Sequence, residues 1–297
     1  MPVPEFWPLD RVRNLDWGET VVWASHAVPA GEVFPEERLQ TGGFPEGMRQ
    51  LLVVGGGSLI DHAKFECAAR KLRLIAIPSI WGSGAENTPI VVLDKDGRKS
   101  FQVGEKFFPH ARSIWPELAN TVSERRRMAG CGDCWTHALE GFLSPVASEG
   151  LRLEMAELIR TLIDTTLGAG DEWFQLSATA AEAQSRSSVG LVHGIAHQLE
   201  PLLEGWGHAR LCALFLYPVM RFNFERSADV VRKFAAYGLE ESRILALAKQ
   251  LFDADAFAEL LPVLEKSWAS VLRDPSSRTN PVLVRKGDFS DLARLVA

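Results

Sequence analysis

The sequence predicts an α/β domain at the amino end, residues 1–118, followed by an all-helical domain, residues 119–297. Two observations support this fold class. Short uninterrupted apolar runs, which are typical of buried parallel strands, occur in the first third of the chain and stop near Pro116. Beyond that residue, the apolar positions recur at helical spacing. A chain of 297 residues is long enough for two domains that each have a core.

Three apolar runs mark the predicted strands of the first domain. They are LLVV at 51–54, LIAIP at 74–78 and IVVL at 90–93. A helical pattern over 61–72 separates the first two runs. This order of strand, helix and strand is the βαβ unit of a parallel sheet, so we expect all three runs to be buried parallel strands.

The second domain is predicted to be helical throughout. The expected helices span 123–130, 134–142, 150–167, 172–188, 190–199, 208–223, 229–236, 241–252 and 257–272. Neither an internal repeat nor a low-complexity linker interrupts this series, which favours a single helical domain.

Composition and charge argue against several classes of protein. The net charge is −6 and the basic residues are dispersed, so the sequence carries no nucleic-acid footprint. The longest apolar run, 211–220, is too short to cross a bilayer, and the amino terminus has no apolar secretory signal. Four cysteines form no convincing disulfide framework, which favours a reducing compartment. We therefore expect a cytoplasmic protein that binds neither nucleic acid nor a membrane.

A glycine-rich turn directly follows the first predicted strand, in the segment VVGGGSLIDHAK. Gly55, Gly56 and Gly57 let the backbone approach a ligand, and a helix that begins near Ser58 offers free N–H groups to a phosphate. Such ligands bind at the carboxyl ends of strands in α/β sheets. The Gly, Ser and Thr-rich segment 77–89 could line the same crevice with hydroxyl groups. The alternatives are an ordinary tight turn and an ordinary surface loop.

Acid and imidazole side chains form the second chemical signal. Asp133 and His137 are four residues apart, as are His193 and His197, and His208 follows shortly after. Residues at this spacing share one face of a helix, so their donor atoms can converge. Taken alone, each histidine is more often a hydrogen-bonded core residue than a metal ligand. Together, three imidazoles and one carboxylate suit iron(II) or zinc.

The segments that carry these residues resemble the signature blocks of a known family. GGGSLIDHAK, IPSIWGSGAENTP, GDCWTHALEGF, GLVHGIAHQLEPLLEGWGH and VMRFN occur in the order seen in the iron-dependent (group III) alcohol dehydrogenases. The resemblance covers roughly residues 50–225. It implies a dehydroquinate synthase-like fold, in which a dinucleotide-binding domain precedes a helical metal-binding domain.

The resemblance also implies a role for individual residues. The metal ligands would be Asp133, His137, His193 and His208. His197 would lie near the substrate without binding the metal, where it could relay a proton as the catalytic residue. The cofactor-binding residues would be Gly56, Gly57, Ser58, Asp61, Ser79, Ser83 and Thr88.

The implied activity is hydride transfer between NAD(P)(H) and a small alcohol or aldehyde, with aldehyde reduction as the expected direction. The metal would be Fe²⁺, with Zn²⁺ as the alternative, and the protein would be a homodimer. Ser25 stands where NAD-preferring relatives keep an aspartate, so NADP is an alternative to NAD.

Three competing interpretations remain open. A sugar-phosphate cyclase of the same fold would use glutamate and two histidines, unlike the Asp133 and His137 pair. A metal-independent enzyme of the maleylacetate reductase type would not be expected to retain the complete ligand set. A degenerate, non-catalytic homologue is suggested by the short stretch of about 54 residues before the GGGS block, fewer than is usual in the family.

Overall fold

The structure is a computed structural model that describes residues 3–40, 43–95 and 98–294. Contacts within the chain divide it into two compact units. The first unit comprises Met1–Arg127 and Ala169–Glu182, and the second comprises Met128–Gly168 and Ala183–Ala297. The periodicity of the sequence indicates the change from strands to helices, but nothing in it indicates that a later segment joins the first unit.

The first unit is built around a parallel sheet. Its strands in the described residues are β1 (Glu5–Phe6), β2 (Thr20–Ala24), β3 (Leu39–Gln40), β4 (Gln50–Gly55), β5 (Arg73–Pro78), β6 (Ile90–Lys95), β7 (Arg98–Val103) and β8 (Ala111–Arg112). Six of them form one sheet in the order β1-β8-β5-β4-β2-β3, and every neighbouring pair is parallel. The predicted strands at 51–54 and 74–78 are confirmed as parts of β4 and β5.

The strand predicted at 90–93 exists, but its predicted pairing is wrong. β6 pairs antiparallel with β7 in a separate two-stranded sheet. Of the four residues in the run, only Val91 is fully buried. An apolar run therefore predicted the strand correctly, but it did not specify the partner, because a half-covered hairpin strand can be as apolar as a central one.

The strand order places a ligand-binding edge beside the glycine-rich turn. The chain moves outward from β2 to β3 on one side of the sheet and from β4 to β5 and β8 on the other. The carboxyl ends of β2 and β4 therefore lie at the point where the order reverses, which is where open α/β sheets bind ligands. β4 is buried along its whole length and ends at Gly55.

The helices account for most of the remaining chain. They are α1 (Leu9–Arg13), α2 (Gly57–Arg70), α3 (Glu124–Leu143), α4 (Glu149–Asp164), α5 (Glu172–Ser185), α6 (Leu191–Leu199), α7 (His208–Arg226), α8 (Ala228–Ala236), α9 (Glu241–Gln250), α10 (Ala254–Val271), α11 (Pro275–Arg278) and α12 (Asp288–Arg294). The two pieces predicted at 123–130 and 134–142 form one continuous helix, α3. Within the described part of the chain, no helix combines the length and the apolar character of a membrane span.

The predicted fold class is confirmed, because a parallel α/β sheet comes first and a helical unit follows. α2 packs on the sheet through Ile60 and Ala63, which join Leu51 and Val53 of β4 in one buried apolar cluster. α2 ends where Lys71 adopts the left-handed conformation, with φ 58°. Its first residue, Gly57, comes two residues after the start of the turn at Gly55, so the amino end of α2 lies at the carboxyl end of β4.

Candidate metal centre

Three helices of the second unit carry the side chains of the candidate centre. On α3, Asp133, His137 and Glu140 follow one another at intervals of four and three residues, so they share a face, and all three are buried. His193 and His197 lie on α6. α7 begins at His208 and carries Cys212 one turn later. The centre is therefore formed by α3, α6 and α7.

A close approach of α3 and α7 brings two of these side-chain sets together. A Cβ atom added to Gly132 would lie 2.3 Å from the Cβ atom of Ala213 and 2.5 Å from its Cα atom. Only a glycine allows two helix backbones to pass at this distance. Because Asp133 follows Gly132 and Cys212 precedes Ala213, the same approach places the donor atoms of the two helices near one another.

We expect Gly132→Ala to destabilise the protein by about 1–2 kcal/mol. Overpacking costs about 1–3 kcal/mol, and the higher helix propensity of alanine offsets up to about 1 kcal/mol of this. Urea unfolding measures the difference. Gly150→Ala on α4 is the matched control, since an added Cβ atom there meets nothing within 4 Å. Equal stability of the two variants would contradict the close approach.

The four predicted metal ligands lie next to one another. Asp133 Oδ1 is 3.9 Å from His137 Nδ1 and 4.0 Å from His208 Nε2. The rings of His137 and His193 have centroids 4.8 Å apart. Among the described residues, Asp133, His193, His208 and Cys212 form a group of possible metal donors, with one donor atom of each within 4.8 Å of the others. His137, one of the predicted ligands, is not in this group. The sequence prediction did not include Cys212.

Glu140 fixes the orientation of His193. Its carboxylate accepts hydrogen bonds from His193 Nδ1 at 2.7 Å and from the backbone N–H groups of Gly190 and Val192, each at 2.6 Å. With Nδ1 donating, the lone pair of His193 is on Nε2. Burial raises the pKa of Glu140 to about 7, although these backbone donors act to lower it. Burial, together with the neighbouring imidazoles, holds the pKa of His193 well below its usual range, so the ring is neutral.

Two buried atoms of the centre fit a bound cation. Asp133 and His193 are only 1% and 3% exposed, and within the described residues neither Asp133 Oδ1 nor His193 Nε2 has a hydrogen-bond partner. A buried polar atom without a partner costs about 1–3 kcal/mol. An ion bound by both atoms would remove that cost. The orientation of a ligating imidazole by a carboxylate is also typical of metal sites.

The second histidine of α6 faces a different carboxylate. His197 Nδ1 is 3.6 Å from Asp274 Oδ2, and the His197 ring stacks on that of His208 with centroids 5.5 Å apart. Asp274 also accepts hydrogen bonds from the Gln198 side chain and from the backbone N–H of Ser276, both at 2.9 Å. Burial alone would raise the pKa of Asp274, but the bonds from His197 and Ser276 outweigh it and lower the pKa to about 2.

Asp274 should therefore make stability depend on pH. Its native pKa lies below the ordinary value of 3.8, so the carboxylate stabilises the fold above about pH 4, and this is lost as the pH falls towards 2. The contribution is about 1–2 kcal/mol after allowance for solvent screening. The free energy of unfolding, measured with a denaturant, should differ most between the wild type and Asp274→Asn at neutral pH, and the two values should converge in acid. A difference that stays constant with pH would refute this assignment.

The first unit contains the predicted cofactor loop. Gly56 is the N-cap residue of α2. Because glycine has no side chain, it cannot accept a hydrogen bond from the backbone N–H groups in the first turn of α2, which includes Ser58. A Cβ atom added to Gly57 would lie 2.5 Å from Ser83 Oγ. The glycine-rich turn after β4 and the segment 77–89 therefore lie next to each other. The Ser79 backbone N–H donates to Gly55 at 2.9 Å and so continues the ladder between β4 and β5.

Two further predicted cofactor residues lie beside a buried lysine. Lys64 Nζ donates to Asp61 Oδ1 at 3.0 Å and to Thr88 Oγ1 at 3.5 Å. Asp61 also accepts a hydrogen bond from the backbone N–H of Val92 at 3.1 Å. Asp61 and Thr88 are thus held by hydrogen bonds within the first unit. That these two residues contact a cofactor stays a prediction.

Four residues of the centre were missed by sequence reasoning, and three of them had a local signal. Glu140 lies at helical spacing from Asp133 and His137, and Cys212 lies four residues after His208. Glu200, whose carboxylate is 3.5 Å from His208 Nδ1, follows His197 by three residues. Asp274 is 77 residues from His197 in the sequence, so only the fold could reveal it.

Two curated relatives match part of the chain. The 1-propanol dehydrogenase of Salmonella typhimurium is 32% identical over 186 residues, which cover 57% of this chain and 50% of that protein. Lactaldehyde reductase of Escherichia coli is 28% identical over 191 residues, which cover 59% of this chain and 50% of that protein. The chain thus spans half the length of each of these relatives. No family model matches the sequence.

Solved structures match the whole chain at low identity. An iron-containing alcohol dehydrogenase of Corynebacterium glutamicum gives a TM-score of 0.77 at 21% identity, covering 99% of this chain and 95% of that one. A maleylacetate reductase of Agrobacterium tumefaciens gives 0.80 at 18%, covering 100% and 97%. A sulfoacetaldehyde reductase of Bifidobacterium kashiwanohense in complex with NAD⁺ gives 0.76 at 17%, covering 100% and 97%. Together with the sequence relatives, this shared fold confirms the resemblance of the chain to the iron-containing alcohol dehydrogenase family.

Proposed function

We propose that this protein is a metal-dependent oxidoreductase that transfers a hydride between NAD(P)(H) and a small alcohol or aldehyde, chiefly in the direction of aldehyde reduction. One observation carries the proposal: the buried, unpartnered atoms Asp133 Oδ1 and His193 Nε2 converge with His208 in one unit. A purely structural core has no use for such a group. The activities named for the sequence relatives, on propanol and on lactaldehyde, support the substrate class.

Asp133, His137, His193 and His208 would hold the divalent ion, with Fe²⁺ as the first choice on the basis of the family resemblance. When bound, such an ion stabilises negative charge that develops on a substrate oxygen. The protein groups have separate tasks. Glu140 holds the His193 ring through Nδ1, so that Nε2 is kept free of protons. This arrangement preserves the ligand geometry before any substrate arrives.

His197 is the proposed catalytic residue for proton transfer. Its Nδ1 lies 3.6 Å from Asp274 Oδ2, and the ring would deliver a proton during reduction or take one up during oxidation. The pKa of Asp274, about 2, keeps its carboxylate ionised at neutral pH, so that it can accept a hydrogen bond from His197. His197 would thus transfer the proton, while the ligand residues would hold the ion that stabilises negative charge on the substrate oxygen.

The cofactor phosphates would bind at Gly56, Gly57 and Ser58, at the uncapped first turn of α2. A cavity of about 200 Å³ lies near the carboxyl ends of β2 and β3, and Ser25, Gly31 and Gln40 are among its lining residues. No charged residue lines this cavity in the described part of the chain. The lining thus offers no carboxylate for the ribose hydroxyls of NAD(H), and we propose that NADP(H) is accepted as well as NAD(H).

The assembly and location are also proposals. A homodimer is inferred from the family resemblance alone. A cytoplasmic location is supported by the four cysteines, which are buried and form no disulfide within the described residues.

Reconstitution with Fe²⁺ or Zn²⁺, followed by assays of NADH and NADPH oxidation with a panel of small aldehydes, tests the proposal. We expect aldehyde-dependent oxidation in a loaded sample and its loss in a sample treated with a chelator. Equal activity in both samples would instead indicate a metal-independent reductase. An absence of activity with every aldehyde, in protein shown to contain metal, would contradict the proposed substrate class.

A further inference from the structure

Cys212 is a possible metal donor that the proposed ligand set does not use. It lies one turn after His208 on α7, and its Sγ atom is 3.5 Å from His208 Nε2. The side chain is fully buried. Its sulfur belongs to the group of donor atoms that lie within 4.8 Å of one another, together with Asp133 and His193.

The position of this sulfur is fixed by the packing that forms the centre. The contact of Gly132 with Ala213 holds α7 against α3 at the residue next to Cys212. A flexible surface cysteine could approach a site by chance, but a buried cysteine on a packed helix has far fewer accessible rotamers. In addition, Asp133 Oδ1 and His193 Nε2 provide independent, unpartnered donor atoms in the same group.

The structure assigns Cys212 as a thiolate ligand of the metal ion, and we propose that its sulfur raises the affinity of the centre for zinc more than for iron. This inference rests on the metal site of the proposed function and deepens it. On binding, the S–H bond of Cys212 breaks, the proton passes to solvent and a sulfur–metal bond forms, with no change of oxidation state. Carboxylate oxygen, imidazole nitrogen and thiolate sulfur are all donors that zinc accepts.

A metal ion held by Asp133, His193 and His208 would favour the deprotonated sulfur of Cys212, because a thiol that coordinates a divalent cation is deprotonated outright.

X-ray absorption of the full chain reconstituted with zinc tests the inference without an activity assay. We expect one sulfur at about 2.3 Å beside nitrogen and oxygen donors at about 2.0–2.2 Å. Cys212→Ser should lose the sulfur signal and bind zinc at least about tenfold more weakly, with a smaller loss for Fe²⁺. Cys67→Ser, which changes a buried thiol in the first unit, is the control and should keep the sulfur signal.

The outcomes separate this inference from the proposed function. Stoichiometric zinc with only nitrogen and oxygen donors in the wild-type protein would overturn the role of Cys212 and leave the metal site intact. Wild-type protein that binds no metal would overturn both. If Cys212→Ser does not fold, the wild-type spectrum still decides, and a thiolate-to-metal charge-transfer band in the cobalt-substituted protein provides a second measurement.

Discussion

His193→Ala is expected to remove the bound metal and to lower aldehyde reduction by at least about a thousandfold. His193 Nε2 is one of the two buried atoms of the centre without a hydrogen-bond partner in the described residues, and Glu140 holds the His193 ring through Nδ1. Charge stabilisation by a metal contributes several kcal/mol to a transition state, and each 1.36 kcal/mol is a factor of about ten. Metal content by elemental mass spectrometry and kcat/KM with NADPH measure the two effects.

A matched histidine variant controls for the general loss of an imidazole. His110 lies in the first unit, and its side chain is exposed. His110→Ala should keep the metal and the activity. If His193→Ala retained stoichiometric metal with unchanged kcat/KM, the assignment of His193 as a ligand would be wrong. If both variants lost metal equally, the effect would not be specific to the centre.

Glu140→Gln is expected to weaken metal binding by about 10–100-fold, although Glu140 is not itself a proposed ligand. Partners that orient a ligating imidazole typically have an effect of this size. One carboxylate oxygen accepts from Gly190 and His193 and the other accepts from Val192, so the single amide oxygen of glutamine can replace only one of them, and the negative charge behind His193 is lost as well. A competition titration against a chelator of known affinity measures the change.

Glu154→Gln on α4 is the control for this variant, because Glu154 is an exposed partner of Arg186. It should bind metal as the wild-type protein does. Unchanged metal affinity in Glu140→Gln would show that His193 needs no carboxylate for its orientation. Thermal unfolding of the metal-free proteins would show whether the substitution acts through the fold instead.

The sequence predicted the elements of the fold better than their pairing. The apolar runs in β4 and β5 and the helical periods of α4 to α10 were sufficient to find those elements, because each depends on local patterning. The antiparallel pairing of β6 was missed, since a partner strand is chosen by the whole chain. β1, β3 and β8 are only two residues long and carry no period that could be recognised.

Some residues of the candidate centre could likewise be predicted from the sequence, and others could not. Asp133, His137, His193 and His208 were predicted as ligands from their spacing and from the family resemblance, and in the structure they lie near one another. Glu140 and Cys212 share that helical spacing, but a lone acid or cysteine on a buried helix has too many ordinary explanations. Asp274 depends on α11 meeting α6, a contact between segments that are remote in sequence.

The most direct test of the central claim is a crystal structure of the zinc-loaded protein, with anomalous diffraction measured at the zinc absorption edge. We predict one strong peak in the second unit, at about 2.0–2.2 Å from both His193 Nε2 and a carboxylate oxygen of Asp133. A fully loaded crystal whose zinc peaks all lie elsewhere, with these two atoms bonded only to protein or water, would contradict the account.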